Sequence, residues 1–149
     1  MNKLKTFFKK FLAIDDSPHK IALGAGLGIF FGIMPGEGVA TTLVIATILR
    51  ANKISATAGV LATNMWTTLF VLPFTATVGG FLFGISAQKL IAQFHQSIEF
   101  GWRYFFGVAA FRQVALPLLS GFVLVSGASA IFFYLAIYLF LKFKKPQIS

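Results

Sequence analysis

The chain has 149 residues, of which 57% are apolar and 11% charged, and it contains no cysteine. Ordinary soluble domains are about 45–50% apolar and about 25% charged, so this composition excludes a disordered chain and indicates an integral membrane protein. Thiol catalysis, cysteine-ligated zinc and disulfides are excluded as well. The net charge of +9 lies between long apolar runs, which is typical of membrane-flanking charge, so no nucleic-acid partner is expected.

Residues 1–14 are predicted to form an amphipathic helix in the plane of the membrane interface. Phe and Leu recur there at helical spacing, and lysines fill the positions between them. A basic helix of this kind binds a leaflet with anionic headgroups. The alternative is a secretory signal, which would need a small-residue cleavage site that the sequence lacks. Residues 15–18 then supply capping side chains and Pro18, and they predict the start of the next helix.

The first long apolar run covers residues 21–49 and contains one charge, Glu37. A straight helix of this length would be about 43 Å long, against a hydrocarbon core of about 30 Å. Pro35, Gly36 and Gly38 interrupt the run near its middle. The sequence therefore predicts a re-entrant helical hairpin with a break at 35–38. The alternative is one tilted and kinked span.

The second apolar run, residues 54–87, has no charge and is again too long for one straight crossing. We predict a half-helix over 54–63, a break at 64–68 beginning with Asn64, and a longer piece that completes a crossing by Ala87. Pro73 is a second candidate for a helix break, because an internal proline removes a backbone hydrogen bond.

The rest of the chain predicts an interfacial segment with an aromatic belt over 88–113, a transmembrane helix over 114–141 with Pro117 near its start, and a basic tail over 142–149. Ten of the 13 positive residues lie in the N-terminal segment, the connector at 50–53 and the C-terminal end. The positive-inside rule then puts both termini in the cytoplasm. The predicted fold class is a single all-α integral membrane domain, residues 1–149, with an interfacial N-terminal helix, a broken or re-entrant hairpin and two or more transmembrane helices.

Glycines at a spacing of four predict close contact between helices. Gly24, Gly28 and Gly32 share one helical face, and Gly80 with Gly84 repeats the pattern. Small residues on one face let backbones approach in a lipid environment, which offers no hydrophobic drive between helices. Part of this packing is expected between subunits, so the partners expected are a second copy of the chain or another membrane protein.

The polar residues inside the apolar runs are the candidate binding residues. Glu37 is the only acid there, and an intramembrane carboxylate suggests proton, cation or polar-substrate contact. Its alternative role is a cap or a water-exposed turn residue. Five more polar residues lie near the second break or in the first run, and they are Asn64, Thr67, Thr68, Thr41 and Thr42. They either line a polar cavity or cap broken helices. His19 and His95 suggest no metal site, and no cofactor is expected.

A set of motifs resembles the bacterial membrane family called domain of unknown function 2062. In chain order the matching residues are Ser17, Pro18, Ile21, Ala22, Gly24, Gly28, Phe30, Gly32, Pro35, Gly38, Arg50, Asn52, Asn64, Trp66, Thr67 and Pro73. The resemblance covers residues 17–87, and Met65 departs from the proline that the family usually carries after the asparagine. It implies a multi-helix protein of the bacterial inner membrane. Some family members resemble partners or fusions of glycosyltransferase-type proteins.

The paired breaks lead to a first functional hypothesis, which is transport of a small polar or lipid-linked substrate by a dimer or larger assembly. The alternative is a non-transporting scaffold or accessory subunit for an envelope-biogenesis enzyme. A lipid-modifying enzyme is a weaker third hypothesis, because four acids and two histidines offer no acid–base constellation.

Overall fold

The computed structural model describes residue 6 and residues 16–35, 38–64 and 67–144, except for the side chains at 67–69, 102 and 105. Within these ranges the regular structure is helical, and no strand occurs among the described residues. The helices are α1 (Pro18–Ile33), α2 (Val39–Ile48), α3 (Lys53–Asn64), α4 (Thr67–Phe83), α5 (Ala87–Phe100), α6 (Trp102–Phe105) and α7 (Val108–Lys144). Apart from residue 6, the interfacial helix predicted over 1–14 lies outside the described residues.

The first predicted helix start agrees with the structure. The Ser17 hydroxyl accepts a hydrogen bond from the backbone N–H of Lys20 at 3.3 Å, and Pro18 occupies the first turn of α1. α1 ends at Ile33 and α2 begins at Val39, so the helix is interrupted around the predicted break. Gly36 and Glu37 lie outside the described residues.

α3 is described up to Asn64 and α4 from Thr67, so part of the second break predicted at 64–68 lies outside the described residues. The expectation that Pro73 breaks a helix is wrong, because this residue lies inside α4. α4 packs along α7 on both sides of the proline. The Thr77 hydroxyl also donates to the Pro73 carbonyl at 2.7 Å. Packing against α7 thus outweighs the local cost of one missing N–H.

The C-terminal helix is longer than predicted. α7 begins at Val108 instead of near 114 and contains Pro117. Just before this proline the backbone is π-helical over Phe111–Ala115, where the Leu116 N–H bonds to the Phe111 carbonyl. This wider turn changes the hydrogen-bond register ahead of a residue that has no N–H to give, so the helix continues through the proline.

Gly80 and Gly84 do not form the predicted packing face. Gly84 has φ 68° and ends α4 in the left-handed conformation, and no atom lies near the position of a Cβ there. The Ile85 N–H bonds back to the Gly80 carbonyl at 2.8 Å. These contacts form a Schellman cap, in which glycine at the left-handed position avoids the clash of a Cβ with the backbone.

α7 runs antiparallel to both α1 and α4 and packs against each of them. Its contacts, in order towards the N-terminal end of α7, are Tyr134 with His19, Ala130 with Gly26, Phe122 with Ile33, Gly121 with Thr75 and Pro117 with Gly79. α1 therefore packs on the C-terminal half of α7, and α4 packs on its N-terminal half. α5 folds back and buries Leu90 against α4 and α7.

Among the described residues, one helix, α7, is long and apolar enough to cross a membrane. The number rises to two if Phe70–Phe83 and Ala87–Phe100, which are bent by 111° at the intervening turn, count as one broken span. Only 11% of the most apolar part of α7 is buried. Large apolar side chains on α4 are exposed as well, with Phe74 at 69% and Phe81 at 87%.

Candidate functional site at the helix breaks

A line of glycines brings α1 and α3 into backbone contact. A Cβ on Gly28 would overlap the Ala56 carbonyl oxygen and lie 2.8 Å from the Cα of Gly59. A Cβ on Gly24 would overlap the Asn52 carbonyl oxygen, and one on Gly32 would overlap the side chain of Thr63. We call this the parallel glycine contact (Gly24, Gly28, Gly32 and Gly59). It joins the helices by the close approach that small residues allow.

The order of these contacts fixes the direction of the two helices. Gly24 meets the start of α3 and Gly32 meets its end, so α1 and α3 run parallel. Their C-terminal ends, Ile33 and Asn64, therefore lie at the same end of the pair. The two segments in which the sequence predicts helix breaks therefore begin side by side, although they are far apart in sequence.

The candidate binding residues divide into those with a described position and those without one. Asn64 is exposed at the end of α3, and Thr41 is exposed on α2. Thr42 is fully buried, and its hydroxyl donates to the Gly38 carbonyl at 3.1 Å, which leaves it only as an acceptor for a ligand. Glu37 and the side chains of Thr67 and Thr68 lie outside the described residues.

The residues that shape the first break have different surroundings. Pro35 is exposed just after α1. Gly38 precedes α2 with an extended backbone, and no atom of the described residues lies within 4 Å of a Cβ built there. The Gly38 carbonyl accepts a hydrogen bond from the Thr42 hydroxyl on that helix.

Sequence reasoning missed a polar clamp at the opposite end of the α1–α3 pair. The Asn52 side chain caps α3 by accepting from the Ser55 N–H at 2.9 Å, and it donates to the Asp16 carboxylate at 3.2 Å. Its backbone N–H donates to the Lys20 carbonyl at 3.0 Å. A capping asparagine before Lys53 is readable in the sequence, but its tie to a residue before α1 is not.

The carboxylate of this clamp is held in its charged form. Asp16 accepts from the side chain of Asn52, from the Ser17 N–H at 3.0 Å, and forms an ion pair with Lys20 at 3.4 Å. The hydrogen bond from Asn52 is the largest cause that lowers the pKa of Asp16 below 3.8, with smaller contributions from Ser17 and Lys20 against partial desolvation.

A second cross-link at the same end joins α1 to α7. The His19 Nδ1 lies 2.8 Å from the Tyr134 hydroxyl, and the two rings meet edge to face at 5.8 Å between centroids. Within the part of the chain that the structure describes, no three histidine or acidic side chains gather as metal ligands. His19 thus connects helices at a surface position.

Comparison with known sequences assigns the chain to a family. Residues 1–147 match the family described as "Uncharacterized protein conserved in bacteria (DUF2062)", so the chain belongs to that family. The match covers nearly the whole chain and extends beyond the 17–87 segment that carries the motif resemblance. No curated protein and no solved structure matches the chain.

Proposed function

We propose that this DUF2062 member is a multi-pass protein of the bacterial inner membrane that translocates a small polar or lipid-linked substrate past paired helix breaks. The observation that carries the proposal is the parallel packing of α1 and α3, because it brings Ile33 and Asn64, after which the sequence predicts the two breaks, to one level. Broken helices that meet inside a membrane are a recurring arrangement for substrate sites in transporters.

The positions of the helix contacts along α7 support a location of these breaks near the middle of the membrane. From Val114 to Tyr134 the helix extends about 30 Å, which matches the thickness of a hydrocarbon core. Phe122, which packs against Ile33 at the end of α1, lies about 12 Å from Val114 and about 18 Å from Tyr134 along the helix axis. If this segment of α7 crosses the bilayer, both breaks begin near its middle.

The surfaces of the molecule are consistent with this placement. Large side chains along the proposed membrane layer are exposed, including Phe74 on α4 and Phe132 on α7. Such a surface is unfavourable in water but is ordinary against lipid tails. Residues 114–141 carry no charge, and Lys142 and Lys144 follow directly.

The same placement gives each helix a role. α1 and α2 enter from one side and return to it as a re-entrant hairpin, whereas α3 and α4 together cross the layer and α7 crosses back. Positive residues from three parts of the chain gather at one end, which we call the basic end (Lys20, Arg50, Lys53, Lys142 and Lys144). The positive-inside rule puts this end and both termini in the cytoplasm, facing anionic headgroups.

On this proposal Asn64 and Glu37 are the first candidates for substrate or ion contact, and Thr41, Thr42, Thr67 and Thr68 are further candidates. The hairpin reaches only part of the way across the layer, so a complete path needs a second copy of the chain or a partner membrane protein. Exposed backbone at such a break is tolerated only where it lines a cavity or is covered by protein.

The experiment uses the absence of native cysteine. Single cysteines at positions 34–40 and 62–69 are labelled in intact cells with a membrane-impermeant thiol reagent, and in inside-out vesicles for the cytoplasmic side. Both stretches should label from one and the same side. A cysteine at Phe74, which faces the proposed lipid, should stay unlabelled, and one at Lys142 should label only in inside-out vesicles.

Failure of both stretches to label from either side would remove the transport proposal. That result would instead favour the scaffold or accessory-subunit hypothesis, which requires a dry and tightly packed interior. Labelling of the two stretches from opposite sides would contradict the shared depth of the breaks.

A further inference from the structure

Two turns of the same type in this chain carry different residues. After α4, Gly84 has φ 68° and the Ile85 N–H bonds back to the Gly80 carbonyl. After α2, Arg50 has φ 54° and the Ala51 N–H bonds back to the Ala46 carbonyl at 2.8 Å. Both are Schellman caps, and the left-handed position in such a cap favours glycine. In the turn after α2, this left-handed position is occupied by Arg50, a residue with a side chain.

A non-glycine residue at positive φ is disfavoured because its Cβ crowds the backbone. Among the described residues, Arg50 is the non-glycine residue with positive φ. Its side chain is exposed, and no described acid pairs with it. The arginine therefore costs stability at this position without an internal contact that offsets the cost, which points to a contact outside the chain.

The neighbours of Arg50 are cationic. The Asn52 N–H bonds to the Lys20 carbonyl, which brings the turn that contains Arg50 and Lys53 beside the first turn of α1. Asp16 is the described acid at this end, and it already forms an ion pair with Lys20 and accepts a hydrogen bond from Asn52. Among the described residues, neither Arg50 nor Lys53 forms an ion pair.

We infer that Arg50, supported by Lys53, binds the phosphate of anionic phospholipids in the leaflet that the basic end faces, an inference that rests on the membrane placement in the proposed function. A guanidinium matches the oxygens of a phosphate with two parallel hydrogen bonds, which a lysine cannot do. The turn holds this group at the membrane surface, where lipid phosphates are concentrated. The occupant is a phospholipid with net negative charge.

The test measures lipid binding by the full chain in neutral detergent micelles. Phosphatidylglycerol, phosphatidylcholine and inorganic phosphate are each titrated, and the readout is the lipid concentration that gives half of the maximal rise in melting temperature. Arg50→Gln should weaken the phosphatidylglycerol response about fivefold, the change expected for one cation near an anionic surface. Arg103→Gln, which removes an exposed cation at the other end, is the matched control and should leave the response unchanged.

Arg50→Gly separates binding from folding. It should melt at or above the temperature of the unaltered chain without lipid, because glycine suits the turn, and it should lose the same part of the phosphatidylglycerol response. Equal weakening by Arg103→Gln, an unchanged response in Arg50→Gln, or equal stabilisation by phosphatidylcholine or inorganic phosphate would each overturn the inference. This assay does not depend on the labelling of the helix breaks, so the two proposals fail separately.

Discussion

Among the described residues, the two tightest glycine contacts between helices run in opposite senses. The parallel glycine contact joins α1 to α3. In the second, Gly121 of α7 lies against Thr75 and Gly79 of α4, and we call it the antiparallel glycine contact (Gly79 and Gly121). Both depend on the absence of a Cβ, so the difference between them lies in what each helix pair positions.

The two contacts divide the architecture between them. The parallel contact sets Ile33 and Asn64 at the same level, because α1 and α3 run in the same direction. The antiparallel contact holds α4 along α7. One contact therefore brings the candidate site residues at the helix ends together, and the other joins α4 to the long C-terminal helix.

The largest effect is expected from Gly28→Ala. A Cβ there would meet three backbone atoms of α3 within 3.0 Å, those of Ala56, Gly59 and Val60, and backbone cannot move aside without separating the helices. We expect a loss of about 3 kcal/mol in the free energy of unfolding. Thermal unfolding in detergent measures it.

The matched control for this substitution is Gly127→Ala on α7. No atom lies within 4 Å of a Cβ at this position, so alanine should stabilise the helix by about 0.5–1 kcal/mol. Equal melting temperatures for the two variants would show that α1 and α3 are not in backbone contact.

Gly121→Ala tests the antiparallel contact in the same assay. Its Cβ would overlap the Thr75 carbonyl oxygen and approach the Thr75 carbonyl carbon at 2.9 Å. The Gly79 nitrogen would lie at 3.0 Å as well, so the crowding is similar to that at Gly28 and we expect a loss of nearly the same size, about 3 kcal/mol. Labelling of cysteines at 34–40 should persist in this variant in cells but change in Gly28→Ala. Equal changes of labelling in Gly121→Ala and Gly28→Ala would contradict the separate roles of the two glycine contacts.

Asn52→Ala should lower the free energy of unfolding by about 1.5 kcal/mol. It removes the cap of α3 and the hydrogen bond to Asp16 in one step. Ser86→Ala removes the N-cap of α5, where the hydroxyl accepts from the Lys89 N–H, without breaking a tie between helices. The alanine at 52 should therefore cost more than the alanine at 86, and the reverse order of melting temperatures would argue against a clamp.

The sequence predicts features that one segment carries by itself. Pro35, Gly36 and Gly38, inside an apolar run too long for a single crossing, predict the interruption after α1 that the structure shows. The repeat Gly24, Gly28 and Gly32 predicts a packing face, which the contact with α3 confirms. The repeat does not indicate which helix packs against that face, so the parallel direction of α1 and α3 could not be predicted.

Other features depend on pairs of single residues that meet only in the folded chain. Gly79 and Gly121 belong to different helices and show no shared spacing. The sequence pattern therefore predicts a packing face at Gly80 and Gly84 instead. Local sequence rules predict a helix break at Pro73, because they do not include the packing against α7 that keeps α4 helical. Among the candidate binding residues, the sequence names Glu37 and Asn64 but cannot predict that α1 and α3 end side by side.

The smallest expected effect is the dependence of the melting temperature on pH, which arises at the clamp that joins α1 to α3. Folding lowers the pKa of Asp16 below 3.8, mainly through the hydrogen bond from Asn52. The stabilisation from this carboxylate is therefore complete above the unfolded pKa and is lost as the pH falls through the lower folded pKa. Melting temperatures of the unaltered chain and of Asp16→Asn, measured between about pH 6 and pH 3, should converge on acidification. An equal gap at both ends of this range would mean that the carboxylate charge does not stabilise the clamp, and that Asn52 joins α1 to α3 through its backbone and cap alone.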